Sequence, residues 1–186
     1  LKIVSSVYEN YSRLLSTYLT ALLRLFVEVE CVDIEEQRYS EFNNALPDLV
    51  MTGIGELRFT GATSENNTLI MDISKNVPYP IIRRLLGGSG DGLDLDRDFT
   101  EIELTLMENV FKGIFPQMSD SWFNYFELDV LYRKLETNSR LMQAIAADET
   151  VVIIMFDVTL KDIKGSISIC VPASCLEDVL KKLDSQ

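Results

Sequence analysis

The hydrophobic positions along the chain follow two different periods, and together they predict an order of helices and strands that occurs twice. Between Ile3 and Leu25 apolar residues recur at spacings of three and four, which predicts a long amphipathic helix. From Phe26 to Ile34 apolar and acidic residues alternate, which predicts a half-buried strand. The rest of this first half is predicted as a short helix at Tyr39–Ala45, strands at Leu49–Phe59 and Thr68–Ile73, and a helix at Pro80–Leu86.

The second half of the chain repeats this order. A long helix is predicted from Thr100 to Trp122, with Thr100 as its N-cap and Glu103 completing a capping box. Pro116 should kink or end this helix, since it lacks a backbone donor and clashes one turn back. The remaining predictions are a strand at Leu128–Leu135, a short helix at Ser139–Ala146, strands at Val151–Leu160 and Gly165–Val171, and a closing helix at Ser174–Leu183.

The two halves also match in register, which favours an internal duplication over chance similarity. A shift of 98 positions places residues 71–73 on 169–171 and residues 81–85 on 179–183, with apolar on apolar and basic on basic. Internal repeats determine the fold when they are present. We therefore predict an α/β fold of two halves around one mixed sheet, with the long helices on one face. Residues 1–186 are expected to form one domain, with half-repeats at about 1–90 and 98–186 and a glycine-rich, acidic loop at 87–98.

Composition narrows the classes of function. The 186 residues carry a net charge of −12, so a phosphate backbone would be repelled and nucleic-acid binding is disfavoured. Apolar runs such as Val151–Phe156 are far too short to cross a membrane, so direct membrane insertion is not expected. The chain begins at Leu1 rather than Met, and we expect it to be a piece of a longer protein.

The absence of histidine and the small number of cysteines argue against most catalytic and metal sites. Without histidine there is no Ser-His or Cys-His triad and no common zinc site. Cys31, Cys170 and Cys175 are odd in number and irregularly spaced, which indicates a reducing compartment rather than a disulfide framework. No cofactor or metal is expected, and an enzyme here would have to use carboxylates, Lys, Tyr or Asn.

The most distinctive segment is the glycine loop, residues 86–92, in which four of the six residues after Leu86 are glycines. Its candidate binding residues are Arg84, Gly87, Gly88, Ser89, Gly90 and Asp91. Glycine permits positive φ angles and close backbone approach. A phosphate-binding loop would follow a strand, open a helix and contain lysine, and this loop does none of these. The alternative is an ordinary helix stop followed by a linker.

Two other features are expected to be structural. Asp94, Asp96 and Asp98 resemble the start of a calcium loop, but Phe99 and Thr105 stand where glycine and glutamate are required, so an acidic helix entry is the better interpretation. The aromatic residues after Pro116 are expected to lie mostly in the core. They are Trp122, Phe123, Tyr125 and Phe126.

Several motifs in this order resemble one known family, the middle domain of the FliM flagellar motor switch proteins, within the CheC-like superfamily. The segments that carry the resemblance are Arg83–Gly90, Asp98–Glu103, Ser121–Trp122, Leu135–Asn138 and Ile167–Pro172. The first is similar to the family's GGxG segment and the last to its Cys-x-Pro strand end. Pro116 departs from the family's usually unbroken helix, so we expect this helix not to be straight.

The resemblance implies a three-layer α/β/α CheC-like fold with a pseudo-twofold axis and a non-catalytic role. It implies that the GGxG loop contacts the rotor protein FliG, with Ser89 at the variable position. It further implies packing against neighbouring FliM subunits in the rotor C-ring, at the cytoplasmic face of the membrane in the flagellar basal body. FliN and phosphorylated CheY would bind through parts of FliM absent from this chain.

The alternative function is that of a CheC/FliY-type phosphatase acting on phosphorylated CheY. That chemistry needs a Glu and an Asn one turn apart on each long helix, where they position a water. Three residues before Asn10 and Asn109 the chain has Val7 and Leu106 instead. The remaining Glu-x-x-Asn pair lies at residues 41–44, outside the long helices, so we expect no catalysis.

Overall fold

The computed structural model describes residues 2–62, 66–90 and 97–185, and in these ranges the element order of the first half recurs in the second. The helices are α1 (Lys2–Leu23), α2 (Tyr39–Asn44), α3 (Pro78–Leu85), α4 (Glu101–Ile114), α5 (Pro116–Phe123) and α6 (Ala173–Asp184). The strands are β1 (Val27–Arg38), β2 (Leu49–Arg58), β3 (Thr68–Ile73), β4 (Asp129–Asn138), β5 (Thr150–Leu160) and β6 (Ile163–Pro172). A 3-10 turn at Ser139–Leu141 follows β4.

These strands form one sheet in the order β1-β5-β6-β3-β2-β4. Every neighbouring pair is antiparallel, so the α/β class is confirmed but the prediction of a mixed sheet is wrong. The reason is geometric. A twofold axis perpendicular to a sheet reverses the strand direction, so β3 and β6, which meet across the axis, must run antiparallel. The hairpins β2–β3 and β5–β6 then continue the antiparallel order outward.

The sheet has the symmetry that the predicted duplication requires. Its strand order reads the same in both directions once each strand of one half is exchanged for its counterpart. Met71 pairs with Ile169, its own counterpart at a shift of 98, so the pseudo-twofold axis passes between these two residues. The first strand of each half pairs with the hairpin of the other half, β1 with β5 and β4 with β2. The halves therefore share one sheet rather than forming separate units.

Hydrophobic cores of unequal size cover the two faces of the sheet. The larger core lies between one face and helices α1, α3, α4, α5 and α6. The smaller core lies on the other face, where Tyr39 and Phe42 of α2 pack with Met142 and Ile145. Alternation along each strand sends side chains to opposite cores: in β5, Ile153 belongs to the small core and its neighbours on either side to the large one. The result is the three-layer arrangement that was predicted.

The second long helix is interrupted at Pro116, as expected. Helix α4 ends at Ile114 and α5 begins with Pro116 at its first position. The Tyr11 hydroxyl of α1 donates a buried hydrogen bond of 2.8 Å to the Ile114 carbonyl, and the Gln117 amide donates to the Gly113 carbonyl at 3.2 Å. Side chains thus satisfy carbonyls at the break, which keeps it compatible with a buried position.

The start of α4 carries the predicted capping box. The Thr100 side chain accepts from the Glu103 amide, and the Glu103 carboxylate accepts from the Thr100 amide. Arg97 adds two hydrogen bonds to the same carboxylate, at 2.8 and 3.0 Å. The Arg97 guanidinium and the Thr100 amide together lower the pKa of Glu103 to about 2. This cluster anchors the start of α4.

The prediction of a helix at Ser139–Ala146 is wrong, because only the 3-10 turn at Ser139–Leu141 forms there. Met142 has an extended backbone with ψ of 93°, which ends the turn. Its side chain is 3% exposed and takes part in the small core, where its sulfur lies 3.3 Å from the Thr52 hydroxyl. Contacts with a distant segment hold the turn: the Ser139 hydroxyl donates to the Pro47 carbonyl at 2.6 Å, and Arg140 pairs with Asp48 at 2.9 Å.

The predicted aromatic cluster is half buried and half exposed. Trp122 and Phe126 belong to the large core, whereas Phe123 and Tyr125 are 70% and 39% exposed. The helical spacing of apolar residues could not distinguish the buried aromatic residues from the exposed ones, because α5 ends at Phe123 and the later residues are not helical. The three cysteines are free thiols, Cys31 half-buried and the other two buried.

Two glycines in β2 allow aromatic rings of the large core to pack against the strand backbone. A Cβ at Gly53 would lie 2.7 Å from the Phe111 ring, and one at Gly55 would lie 2.6 Å from the Phe115 ring. Both rings are fully buried. The strand therefore needs glycine here so that two phenylalanines of the second long helix can pack directly on its backbone.

Candidate functional site

The glycine loop lies at the C-terminus of α3, where the sequence places it. The Gly88 amide donates to the Arg83 carbonyl at 2.8 Å and the Gly87 amide to the Arg84 carbonyl at 3.1 Å. These two bonds, with Gly87 at φ +94°, form a Schellman motif. The predicted helix stop is therefore confirmed, and it has a defined backbone conformation rather than that of a loose linker.

The loop presents backbone to solvent and is fixed at its far end. Gly87, Gly88 and Ser89 are exposed, whereas Gly90 is buried. Gly90 has φ +80°, and a Cβ added to it would lie 3.3 Å from Cδ2 of Leu25. Any side chain at Gly90 would thus meet both backbone strain and the corner between α1 and β1.

The Arg84 side chain connects the loop to the end of α1 through hydrogen bonds to backbone carbonyls. Its Nε donates to the Leu23 carbonyl at 2.6 Å, and one terminal nitrogen donates to the Arg24 carbonyl at 2.8 Å. The other terminal nitrogen donates to the Gly88 carbonyl at 3.2 Å. All three guanidinium nitrogens thus bind backbone carbonyls of this chain. The side chain joins the C-terminus of α1 to the middle of the loop.

The structure brings five of the six predicted site residues together. Gly87, Gly88, Ser89 and Gly90 form the loop and Arg84 lies beneath it. Asp91, the sixth, lies outside the described residues, as do Asp94 and Asp96 of the acidic run.

Sequence reasoning missed the support that α1 gives to this loop. Leu23 and Arg24 contribute only backbone carbonyls, and such acceptors have no signature in a sequence. Arg24 has φ +51°, an unusual conformation for a residue other than glycine, which turns the chain out of α1. Two apolar side chains near this site, Phe26 after α1 and Leu86 in the loop, are 72% and 62% exposed. Their exposure was not predictable from the sequence pattern.

The positions required for the phosphatase alternative do not form the required surface. Val7 is fully buried in α1, and Leu106 is partly buried against the large core. Glu108 forms an ion pair of 3.2 Å with Lys112 and accepts a hydrogen bond from Tyr132. The Glu41 to Asn44 pair lies in α2, on the other face of the sheet.

Two searches cover the chain outside the undescribed gaps. Within residues 2–62, 66–90 and 97–185, no three acidic or cysteine side chains converge as a metal site would require. In the same ranges, no helix has both the length and the apolar character needed to cross a membrane.

Comparison with known proteins gives a consistent family assignment. The family model described as flagellar motor switch protein FliM matches residues 1–186. The FliM of Thermotoga maritima is 29% identical over 190 residues, covering 100% of this chain and 55% of that protein. The chain spans about half the length of the curated relatives it matches, 53% and 51% for two spirochaete FliM proteins.

Solved structures agree on the fold. A chain in the crystal structure of the FliG–FliM complex from H. pylori superimposes with a TM-score of 0.87 at 23% identity, covering 97% of this chain and 96% of that one. A CheC-like superfamily protein from Shewanella gives a TM-score of 0.57 at 11% identity, covering 91% and 97%. At these identities the likeness shows the fold, and it confirms the CheC-like architecture.

Proposed function

We propose, since this chain belongs to the FliM family of flagellar motor switch proteins, that it is a structural and switching component of a flagellar rotor. In this proposal residues 1–186 are the middle domain of a longer protein. It works as part of the rotor C-ring at the cytoplasmic face of the membrane, beside neighbouring FliM subunits. FliN and phosphorylated CheY engage parts of that protein outside this chain.

The docking site in this proposal is the glycine loop, and its partner is FliG. The H. pylori FliM with the same fold was crystallised in complex with FliG. The observation that carries the proposal is the shape of the loop: Gly87, Gly88 and Ser89 are exposed, lie at the tip of a helix and are held by a Schellman motif. A loop without large side chains lets a partner approach the backbone closely, and an ordered loop loses little entropy on binding.

The shared sheet supports a mechanical role. Both halves contribute strands to the same hydrogen-bonded ladder, so a force applied at the loop is transmitted to the whole domain. A domain of this kind acts as one rigid body, and its tilt in the ring would change how FliG is presented. Catalysis has no part in the proposal, because the positions that would carry it on the long helices are apolar. Purified chain should leave phosphorylated CheY intact over the time in which a CheC-type phosphatase hydrolyses it.

The test is a titration of this chain with the FliG middle domain, followed by NMR or calorimetry. Because many identical contacts act together in a ring, each one can be weak on its own. We therefore expect the isolated chain to bind FliG with a dissociation constant in the micromolar range. Gly88→Glu should abolish binding, since a Cβ there lies 3.0 Å from the Arg83 carbonyl and the carboxylate would occupy the docking face. Ser89→Trp should block docking through the bulk of the indole, because Ser89 is exposed.

Ser185→Trp is the matched control, because Ser185 is exposed at the end of α6, the counterpart of α3 in the second half. It should bind FliG like the wild type, and circular dichroism should show all variants folded. Absence of wild-type binding at high micromolar concentration would refute docking through this domain. Equal loss in the Ser89 and Ser185 variants would refute the loop as its site.

A further inference from the structure

The position of Arg84 suggests a more specific role than contact with a partner. Its three nitrogens donate to the carbonyls of Leu23, Arg24 and Gly88, at 2.6, 2.8 and 3.2 Å. Two of these acceptors belong to the end of α1 and the third to the exposed loop. A group that must hold these bonds cannot also turn outward to meet another protein.

Two further restraints act on the loop. The Schellman bonds fix the amides of Gly87 and Gly88 on the helix side, and Gly90 is packed beside Leu25 on the far side. The exposed residues that would dock, Gly87, Gly88 and Ser89, lie between α3 and Gly90. The hydrogen bond from Arg84 to the Gly88 carbonyl therefore acts at the midpoint of the segment that would dock.

The chemistry of arginine suits this task in a way that lysine does not. Its planar guanidinium presents several donors in a fixed fork, whereas lysine has one nitrogen on a flexible stem. In Arg84 three separate nitrogens each reach a different carbonyl, whereas the three N–H donors of a lysine radiate from one nitrogen. The positive charge also lies near the C-termini of α1 and α3, where it is electrostatically favourable.

We propose that Arg84 is a positioning residue, which couples the orientation of the glycine loop to the C-terminus of α1 without itself contacting the partner. This proposal rests on the docking function proposed above and deepens it. Because α1 is the longest helix of the large core, the loop is then set relative to the body of the domain and not only to α3.

The experiment compares Arg84→Ala, Arg84→Lys and the control Lys182→Ala in this chain. Backbone NMR relaxation of residues 87–90 is measured first, without FliG. In both Arg84 variants the order parameters of Gly88 and Ser89 should fall from about 0.85 to below about 0.6, while those of the sheet stay unchanged. Lys182→Ala removes an equal charge at the counterpart position near the end of α6 and should retain the order of the loop. Arg84→Lys keeps the aliphatic stem and provides the measurement if Arg84→Ala fails to fold.

The second measurement is the affinity of the same Arg84 variants for the FliG middle domain at two salt concentrations. If the docking conformation is populated about one tenth of the time, affinity falls about tenfold in both variants. The slope of affinity against salt should match that of the wild type, since no interfacial charge is lost.

Three outcomes separate the possibilities. Unchanged order parameters in Arg84→Ala overturn the proposal. Wild-type affinity in Arg84→Lys together with loss in Arg84→Ala also overturns it, because charge alone would then suffice and Arg84 would contact FliG directly. Failure of the wild-type chain to bind FliG refutes the docking function instead, and the order parameters then decide the role of Arg84 by themselves.

Discussion

The ends of helices α3 and α6 are counterparts under the pseudo-twofold axis, yet they are built differently. Helix α3 ends in a Schellman motif with Gly87 at φ +94° and with Arg84 bonded to three carbonyls. At the end of α6, Ser185 stays near helical geometry at φ −88°, and its hydroxyl donates to the Lys182 carbonyl at 2.9 Å. Lys182 occupies the position of Arg84 at a shift of 98. One half thus has a specialised exposed tip and the other has a plain helix end.

The buried parts of the same two helices agree closely. Ile81 and Val179, counterparts at the same shift, are 3% and 0% exposed in the large core. Duplication therefore leaves the core-facing positions under the same packing requirement, while the exposed ends are free to diverge. The lesson is that, in a duplicated fold, a departure from symmetry at an exposed position points to function.

The central strands show a second difference between the halves, which concerns packing. Gly53 pairs with Met71 in the first half, and Ile154 pairs with Ile169 in the second, so Gly53 and Ile154 are counterparts. At Gly53 the bulk comes from Phe111 of α4, a helix of the second half that covers the glycine, whereas at the counterpart position the strand itself carries the bulky Ile154.

The largest effect is expected from breaking this packing difference. Gly53→Ala should destabilise the domain by about 2–3 kcal/mol, because its Cβ would overlap the fully buried Phe111 ring at 2.7 Å. Denaturant unfolding gives the free energy. In a Phe111→Leu background the added cost of Gly53→Ala should shrink to below about 1 kcal/mol, since the smaller side chain leaves room. An equal cost in both backgrounds would contradict this account.

A change of intermediate size in the free energy of unfolding is expected at Asp72, where the two halves differ next to the pseudo-twofold axis. Asp72 in β3 corresponds to the buried Cys170 in β6, and burial raises the pKa of Asp72 to about 7. The folded state then holds a proton that the unfolded state releases near pH 4, so this group lowers stability as pH rises from about 4 to 7.

Asp72→Asn should remove that part of the pH dependence and should be more stable than the wild type by about 1–3 kcal/mol at pH 8. At pH 3 the two proteins should have nearly equal free energies of unfolding. The free energy of unfolding of both proteins is measured across pH 3–8. In the difference between them, the contributions of other titrating groups, such as Glu103, cancel. A difference that does not grow with pH would show that Asp72 is already ionised in the fold.

The smallest effect is expected at the support of the loop. Arg24→Gly should stabilise the domain by about 0.5–1 kcal/mol, because glycine adopts the φ of +51° at the end of α1 without strain. Its carbonyl still accepts from Arg84, so the loop should keep its order. Arg24→Ala removes the same side chain without this gain and is the control. Thermal unfolding measures both variants, and equal midpoints for Gly and Ala would refute the argument.

Local features of the fold were predictable from the sequence because neighbouring residues determine them. The capping box of Thr100 and Glu103, the helix break at Pro116 and the helix stop at Gly87 each follow from short-range chemistry. The 98-residue shift also anticipated the pseudo-twofold axis at Met71.

The features that escaped prediction depend on contacts between distant segments. Which strands are neighbours is decided when the halves assemble, so the antiparallel sheet could not be read from periodicity. The helix predicted at Ser139–Ala146 is replaced by a 3-10 turn, in which the Ser139 hydroxyl donates to the distant Pro47 carbonyl. The support of the loop by Arg84 uses carbonyls some 60 residues away, which any amino acid could supply.

The exchange of first strands between the halves has a consequence for the integrity of the molecule. Strand β1 is held by β5, and β4 by β2, so each half completes the other through backbone pairing as well as through the core. A chain cut between residues 90 and 97 would retain every one of these pairings, and its two pieces should reassemble as a non-covalent pair. Because both halves belong to one chain, the exposed tip of one half differs from that of the other while the shared sheet is kept.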